Sequence, residues 1–480
     1  MTGPPAGPPR PGAERSRVPE ALARGWGRAA LHALLAFVVL LALGEVLAAL
    51  QASTDPFRAV APSGGIELPE LSVRNVLRAG GLAFFQFHMV TTEVSLPPIR
   101  GPEAFPFGLS LSLSFAGTAM GAMALGGWLL FVGGRSVAAR EGGPTWARVL
   151  HGAKVAVPYA VLALLLAFVV RQDVSLTRFP GAPFGDGVAT IRPRPMSAFL
   201  WPLLLGLVAG GLGGLRSALG SPGWHPWGQR GWAALAGGWT MAWLALGLSF
   251  VGLLVLAAVH PDATRTYFEI VGRLGGAGGT LLVLTTVLFL PNLATSFLAG
   301  SMGGAAVSVG FFGSACTVIS YGRFPRGVAG AVPPPDALAP TCESLLGALR
   351  FGTAPAWYFS FLLVPLVASV VGGWVAARRA GATTSAEGAG AGAAAGTTFA
   401  LILLGLLVVG RFVAQAEGLV GFLTGGGSVS VGPGVGTVFL LGLGWGLAGG
   451  ALGGTLGAGR PAPGTGGTGF EPGPDTAGSA

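Results

Sequence analysis

Charged side chains are scarce in this chain. Only 10% of its 480 residues are charged, whereas 51% are hydrophobic, and an ordinary soluble domain carries about 25% charged residues. The mean hydropathy of +0.68 also excludes disorder over most of the chain, because a disordered segment needs low hydrophobicity. The composition therefore predicts a membrane protein with several spans.

Residues that carry enzyme or metal chemistry are also few. The sequence has no HExxH, CxxC or Walker A motif, and its five histidines are scattered over different segments. Gly444–Gly449 matches GxGxxG in letters, but it lies in an uncharged apolar window with no strand before it, whereas a dinucleotide site needs a βαβ unit. Such spacing favours close helix packing instead. We expect no catalytic residue, no metal and no cofactor, and the sequence favours a protein that is not an enzyme.

Lysine is almost absent, since 27 of the 28 basic residues are arginine and only Lys154 is lysine. This bias, together with the abundance of alanine, glycine and proline, indicates a GC-rich bacterial coding sequence and a plasma membrane. The net charge of +9 would suit nucleic-acid binding, but no basic cluster has interleaved aromatic residues. We expect membrane lipid as the surroundings and no nucleic-acid partner.

Apolar windows of about 20 residues, the length that crosses a hydrocarbon core, occur eight times. They run over residues 29–50, 109–132, 155–170, 197–215, 233–259, 356–376, 398–415 and 436–456. A further apolar stretch, 280–321, is too long for one span. The first window exceeds a signal-peptide core of about 7 to 15 residues, so it predicts a retained anchor.

Arginine placement predicts the topology through the positive-inside rule. The basic residues before the first window put the N-terminus in the cytoplasm; they are Arg10, Arg15, Arg17, Arg24 and Arg28. A single span within 280–321 would then place Arg378 and Arg379 outside. If 280–321 instead enters and leaves by the same face, both arginines and the C-terminus fall in the cytoplasm.

Two interpretations of 280–321 stay open. Pro291 could break a short half-helix and make the segment re-entrant, because proline lacks a backbone donor. Alternatively, two tight spans could meet at the glycine-rich turn of residues 300–304, which would give ten spans. The expected fold is all-α: a polytopic transmembrane helix bundle of about 9–10 spans, with a Pro-broken membrane hairpin and short extended segments in outer loops.

Two sets of residues are candidates for function. Glu45 lies within the first span, and an intramembrane carboxylate is costly and points to function by default. Arg411 lies at a similar depth near the outer end of another span, so the two could form an ion pair or could each reach the headgroups independently. Pro291 and Asn292 mark the expected break, where transporters often bind substrates, although the polar residues there could simply cap helix ends.

The remaining segments complete the expected organisation. Residues 29–456 form the membrane domain, between disordered cytoplasmic tails at 1–28 and 457–480. Outer loop 51–108 contains an interfacial helix followed by an extended stretch, and 380–396 is a flexible inner linker. Two further features lie in outer segments. Cys316 and Cys342 could pair as an external disulfide, and similar letters in 94–108 and 174–187 hint at internal duplication.

The stretch LFLPNLATSFLAGSMGG, with the arginine-rich head and glycine-rich spans, resembles the multi-pass membrane proteins of streptomycetes known as streptophobe-type proteins. This resemblance implies the architecture and supplies no activity or catalytic residue. We expect a non-enzymatic membrane protein, either transporter-like or active in envelope maintenance. The alternatives are a membrane-embedded enzyme for lipid or polyprenyl substrates and a structural, partner-binding subunit. The partner would accordingly be a small-molecule substrate or another membrane protein.

Overall fold

The fold is known from a computed structural model, which describes residues 21–54, 66–67, 72–96, 112–176, 187–219, 226–311, 314–328, 349–417 and 428–459. Within these ranges, nine helical stretches are long and apolar enough to cross a membrane. The expected helical membrane fold is therefore confirmed. The short extended segments between the helices join into antiparallel sheets.

Eleven α-helices are described. In chain order they are α1 (Trp26–Thr54), α2 (Val73–Gln86), α3 (Met120–Glu141), α4 (Thr145–Ala153), α5 (Ala156–Val169), α6 (Pro195–Ala218), α7 (Pro226–Val259), α8 (Pro261–Ser301), α9 (Leu363–Ala380), α10 (Ser385–Val409) and α11 (Val435–Gly457). A 3₁₀ helix over Ala356–Leu362 precedes α9.

In the described segments between these helices there are eleven strands. They are β1 (Ile66–Glu67), β2 (Thr92–Ser95), β3 (Ser112–Ala116), β4 (Gln172–Leu176), β5 (Gly187–Pro193), β6 (Val307–Phe311), β7 (Ser314–Ile319), β8 (Phe324–Val328), β9 (Leu349–Gly352), β10 (Phe412–Glu417) and β11 (Ser428–Gly432). Nine of them form one sheet in the order β1-β4-β5-β2-β3-β10-β11-β6-β7, and β8 pairs with β9. All the pairings are antiparallel.

If β1, β8 and β9 are left out and α4 and α5 count as one helical stretch, the same order of elements occurs twice along the chain. In the first repeat, residues 26–218, α1 and α2 precede the pair β2–β3, and α3 to α5 precede the pair β4–β5 and α6. In the second repeat, residues 226–457, α7 and α8 precede β6–β7, and α9 and α10 precede β10–β11 and α11. Each repeat adds its second pair and then its first pair to the sheet, so β3 and β10 join the two repeats.

The chain divides into two compact units, of which the first comprises residues 1–224, 249–359 and 405–435 and contains the whole sheet. Its core is built where α2 packs against α1, with Phe84 and Phe85 fully buried. Glycine permits the contact, because a Cβ on Gly44 would overlap the Gly80 carbonyl oxygen. The predicted helix in loop 51–108 exists, and one of its faces belongs to the core.

The second unit comprises residues 225–248, 360–404 and 436–480. Its described helices meet backbone to backbone at small residues, the means by which membrane helices approach closely. A Cβ on Gly373 or Gly392 would overlap the Gly450 carbonyl group, and one on Gly396 would overlap Gly446. The predicted linker 380–396 is wrong in its larger part, because its residues from Ser385 onward begin α10.

Helix α8 corrects the predicted position of the membrane hairpin. Its non-helical residue is Gly275, with φ of 70°, and the helix continues through Pro291. Tyr267 and Thr286 would lie about 28 Å apart along a straight helix, yet their hydroxyl oxygens are 2.9 Å apart. The chain therefore folds back at Gly275, because glycine adopts a left-handed conformation without a steric penalty.

Two features explain why the predicted hairpin was placed over 280–321, too far along the chain. The first arm, 261–274, carries Asp262, Arg265, Glu269 and Arg273, and these charges exclude it from an apolar window. At the other end, residues 307–311 and 314–319 form β6 and β7 and provide no second span. The alternative of ten spans is therefore wrong.

The predicted tails fall mostly outside the described residues, which leave out 1–20 and 460–480. Residues 21–28 are described, and α1 begins at Trp26. Lys154 holds this stretch, since its Nζ donates to the carbonyl oxygens of Ala21, at 2.5 Å, and Arg24. The only lysine of the chain thus anchors the entry to the first helix.

Candidate functional site

A cavity of about 300 Å³ lies where β3 meets β10, beside the second arm of α8. Both repeats contribute to its wall, and all of the lining residues belong to the first compact unit. These residues are Gln86, Val90, Phe115, Gly117, Thr118, Phe289, Asn292, Ser296, Val307, Gly410, Arg411, Phe412, Val431 and Gly432. The cavity brings together two sequence-predicted candidates, Asn292 and Arg411.

Among the described residues of the cavity wall, Arg411 is the only charged one. It lies between the end of α10 and the start of β10, and its Nη2 donates to Ser430 Oγ at 2.7 Å. Its Nε atom is buried and has no hydrogen-bond partner among the described residues. Gly432 packs directly on this side chain, since a Cβ there would lie 2.8 Å from Arg411 Cγ. The guanidinium group is therefore held in place with donor capacity to spare.

Asn292 connects α8 to the start of α3. Its Oδ1 accepts from the Met120 backbone nitrogen at 2.9 Å, and its Nδ2 donates to the Thr118 carbonyl oxygen at 2.8 Å. Ala119 at the N-cap has no side chain that could satisfy these groups, so Asn292 serves as the cap from another helix. It caps α3 rather than the ends of a broken helix at Pro291.

Thr118 supplies a second polar group to the cavity. The residue is only 2% exposed, and within the described part of the chain its Oγ1 has no hydrogen-bond partner. A buried hydroxyl without a partner is costly. Most of the remaining wall is apolar, with phenyl rings from Phe115, Phe289 and Phe412. The cavity thus combines one cation, the Thr118 hydroxyl and the polar side chains of Gln86, Asn292 and Ser296 with a largely apolar wall.

Glu45 lies at a different place, where α1 crosses α2. A Cβ on Gly80 would overlap the Glu45 carboxyl group, so the carboxylate packs against the α2 backbone. Its Oε2 is buried and finds no hydrogen-bond partner in the ranges that the structure describes, while Arg411 donates to Ser430 instead. Within the described part of the chain, no ion pair joins Glu45 to Arg411. The predicted pairing is therefore absent.

A buried pair of rings close to the core was missed by the sequence analysis. His88, which follows α2, contacts Tyr159 of α5, with 2.5 Å between Nε2 and Oη, and its Nδ1 lies 2.7 Å from the Phe84 carbonyl oxygen. Burial lowers the pKa of His88 to about 4. Only spatial proximity reveals this pair, because 71 positions separate its members.

The predicted disulfide stays a prediction. Cys316 lies in β7 opposite Val309, whereas Cys342 lies outside the described residues. Because only two cysteines are present, we expect alkylation of the denatured chain to add no label before reduction and two labels after it. Intact-mass spectrometry measures this, and two labels without reductant would exclude the bond.

Among the described residues, no group of three or more histidine, cysteine, aspartate or glutamate side chains could hold a metal ion. The cavity therefore offers hydrogen bonding, one positive charge and apolar contact. No family model, no curated protein and no solved structure matches the chain.

Proposed function

We propose that this multi-pass membrane protein is non-enzymatic and transporter-like, with its substrate site in the cavity at the junction of the two repeats. The observation that carries the proposal is the position of the cavity. Transporters built from internal repeats bind their substrates at the repeat interface, beside discontinuous helices. Here the cavity lies beside the β3–β10 junction, and Phe289, Asn292 and Ser296 of the interrupted helix α8 line it.

The sheet supports a topology for this transporter. Strands of one sheet share a side of the membrane, so the segments that carry β2–β3, β4–β5, β6–β7 and β10–β11 all lie on that side. An even number of crossings must therefore separate these segments. Helix α8 then enters and leaves on the sheet side, and eight other helical stretches cross. His260 before α8 contacts Tyr358 before α9, with 3.1 Å between Nε2 and Oη, as this topology requires.

The orientation follows from arginine placement. We propose that the sheet lies outside a bacterial plasma membrane and that both termini are cytoplasmic, since α9 makes one crossing in this topology and Arg378 and Arg379 lie in its last turn, where the positive-inside rule favours the cytoplasm. The proposal keeps the resemblance to the streptophobe-type proteins of streptomycetes. Envelope maintenance is compatible with the same outward-facing sheet.

The two alternatives have less support. A lipid or polyprenyl enzyme would need clustered acids, histidines or metal ligands, and the described residues contain no such group of three. A partner-binding subunit was expected to dock through loop 51–108. The buried Phe84 and Phe85 of α2 belong to the protein's own core, so this helix has a structural task already.

Cysteine labelling tests the proposal without knowledge of the substrate. Ser296→Cys is introduced into a chain whose native cysteines are replaced by serine, and right-side-out and inverted vesicles are treated with an impermeant maleimide. Alternating access exposes a substrate site to each side in turn, so we expect Ser296→Cys to be labelled in both preparations.

Two further cysteine variants serve as controls, because each should be labelled from one side only. Leu113→Cys, on an exposed side chain of β3, should be labelled only in right-side-out vesicles, and Arg378→Cys only in inverted ones. Labelling of Ser296→Cys from a single side would contradict the transporter-like function. Arg378→Cys labelled from outside would overturn the topology.

A further inference from the structure

The geometry points to an acidic amphiphile as the ligand of the cavity: a single carboxylate joined to an apolar chain. This inference deepens the proposed function and uses the same cavity. Its headgroup would bind the Arg411 guanidinium and the Thr118 hydroxyl, and its chain would lie against the phenyl rings of the wall.

The charge of the ligand follows from Arg411. Its positive charge has no acidic partner among the described residues, although a charge next to an apolar wall is costly unless it is paired. Nη2 is occupied by Ser430, while the buried Nε remains free to donate. An arginine fork matches the geometry of a carboxylate. One unpaired cation in the wall fits a monoanion rather than a multiply charged phosphate.

The polar group of Thr118 fits the same headgroup. Its Oγ1 is buried without a partner, and a hydroxyl can donate to a carboxylate oxygen. Thr118 also precedes Ala119, the N-cap of α3, so its hydroxyl lies near the positive end of that helix dipole. The Asn292 amide is already used by Met120 and Thr118, which excludes it as the main recognition group.

The apolar part of the ligand follows from the rest of the wall. Phe115, Phe289 and Phe412, together with three valines, supply most of the other side chains. A small free acid such as acetate would leave these surfaces without contact. The volume of about 300 Å³ is at the lower end of the range for small-molecule sites, about 300–1,000 Å³. It therefore suits a single chain.

Direct binding tests this assignment. The full chain is placed in lipid nanodiscs, and radiolabelled dodecanoate is titrated at pH 8 against empty nanodiscs. We expect saturable binding that unlabelled dodecanoate competes for, and that dodecanol, acetate and inorganic phosphate do not. Arg411→Gln should weaken binding about tenfold or more, because it removes a charge-assisted hydrogen bond. Thr118→Val, which keeps the side-chain shape, should weaken binding about threefold.

The matched control is Arg171→Gln, which makes the same change at an exposed arginine paired with Asp173 and should leave the affinity within about twofold. Arg411→Lys keeps the charge without the fork and should give an intermediate affinity. If Arg411→Gln fails to fold, as judged by gel filtration, Arg411→Lys and Thr118→Val decide the question.

Several outcomes would overturn the assignment. They are equal binding of dodecanol and dodecanoate, competition by phosphate or acetate alone, and unchanged affinity in the Arg411 variants. Failure here is distinct from failure of the transporter proposal. Labelling of Ser296→Cys from both sides without dodecanoate binding would reject only the ligand, whereas binding with labelling from one side would reject only the transport.

Discussion

Gly450→Leu is expected to abolish folding of the second compact unit. A Cβ at this position would overlap the Gly392 carbonyl oxygen, and the Gly450 carbonyl group itself lies where a Cβ of Gly373 would be. Backbone atoms cannot rotate away as a side chain does. Overpacking of a core costs typically about 1–3 kcal/mol, so we expect this substitution to cost more than about 3 kcal/mol and to remove the monodisperse peak in gel filtration.

Gly444→Leu is the matched control on the same helix. A Cβ at Gly444 would meet nothing within 4 Å, and leucine has a higher helix propensity than glycine by somewhat less than about 1 kcal/mol. We expect this variant to give the same yield and elution profile as the unchanged protein. If both variants lost the monodisperse peak in gel filtration to the same extent, the added hydrophobic bulk, and not the close backbone contact, would cause the defect.

The glycines show how far sequence reasoning reaches. Their placement inside uncharged windows predicts close helix packing, and Gly446 does pack against Gly396. The same pattern does not separate Gly450, at the contact, from Gly444, which is exposed. Helix orientation around its own axis decides that difference, and it depends on partners distant in sequence.

The sheet could not be predicted as a whole. Its strands are four to seven residues long apart from β1, and they come from different loops between the helices. The sequence around β3 or β10 therefore cannot predict that these two strands pair. The hairpin was predicted from charge counting alone, and the structure does contain a fold-back, at Gly275 instead of within 280–321. The counting could not find Gly275, because the charged first arm of α8 resembles an ordinary outer loop.

Two residues of the cavity were among the candidates named from the sequence. Arg411 and Asn292 stand out as polar residues next to long apolar runs, and both line the cavity. Their predicted roles were different, because an ion pair and a helix cap are decided by neighbours in space. Thr118 carries no signal in the sequence, since its hydroxyl matters only through its burial without a partner.

Acidification is expected to destabilise the first compact unit through His88. The Phe84 carbonyl oxygen can only accept, so Nδ1 carries the proton and Nε2 accepts from the Tyr159 hydroxyl group. The ring is 1% exposed, and burial lowers its pKa from 6.5 to about 4. Between these values the unfolded chain binds the proton and the folded chain does not, so stability falls as the pH falls.

The pKa shift of His88 gives the size of the expected loss of stability, and variants of His88 and Tyr159 provide the control. A shift from 6.5 to about 4 corresponds to about 3 kcal/mol of stability, fully present above pH 6.5 and lost by pH 4. Thermal unfolding of the purified chain between pH 7.5 and pH 4 would measure this slope. In Tyr159→Phe the histidine stays buried, and the slope should persist. In the double variant His88→Phe/Tyr159→Phe, the stability lost between pH 6.5 and pH 4 should be smaller by about 3 kcal/mol, because neither position then carries a titratable group. An unchanged slope in the double variant would assign acid sensitivity to other groups and leave His88 with a packing role alone.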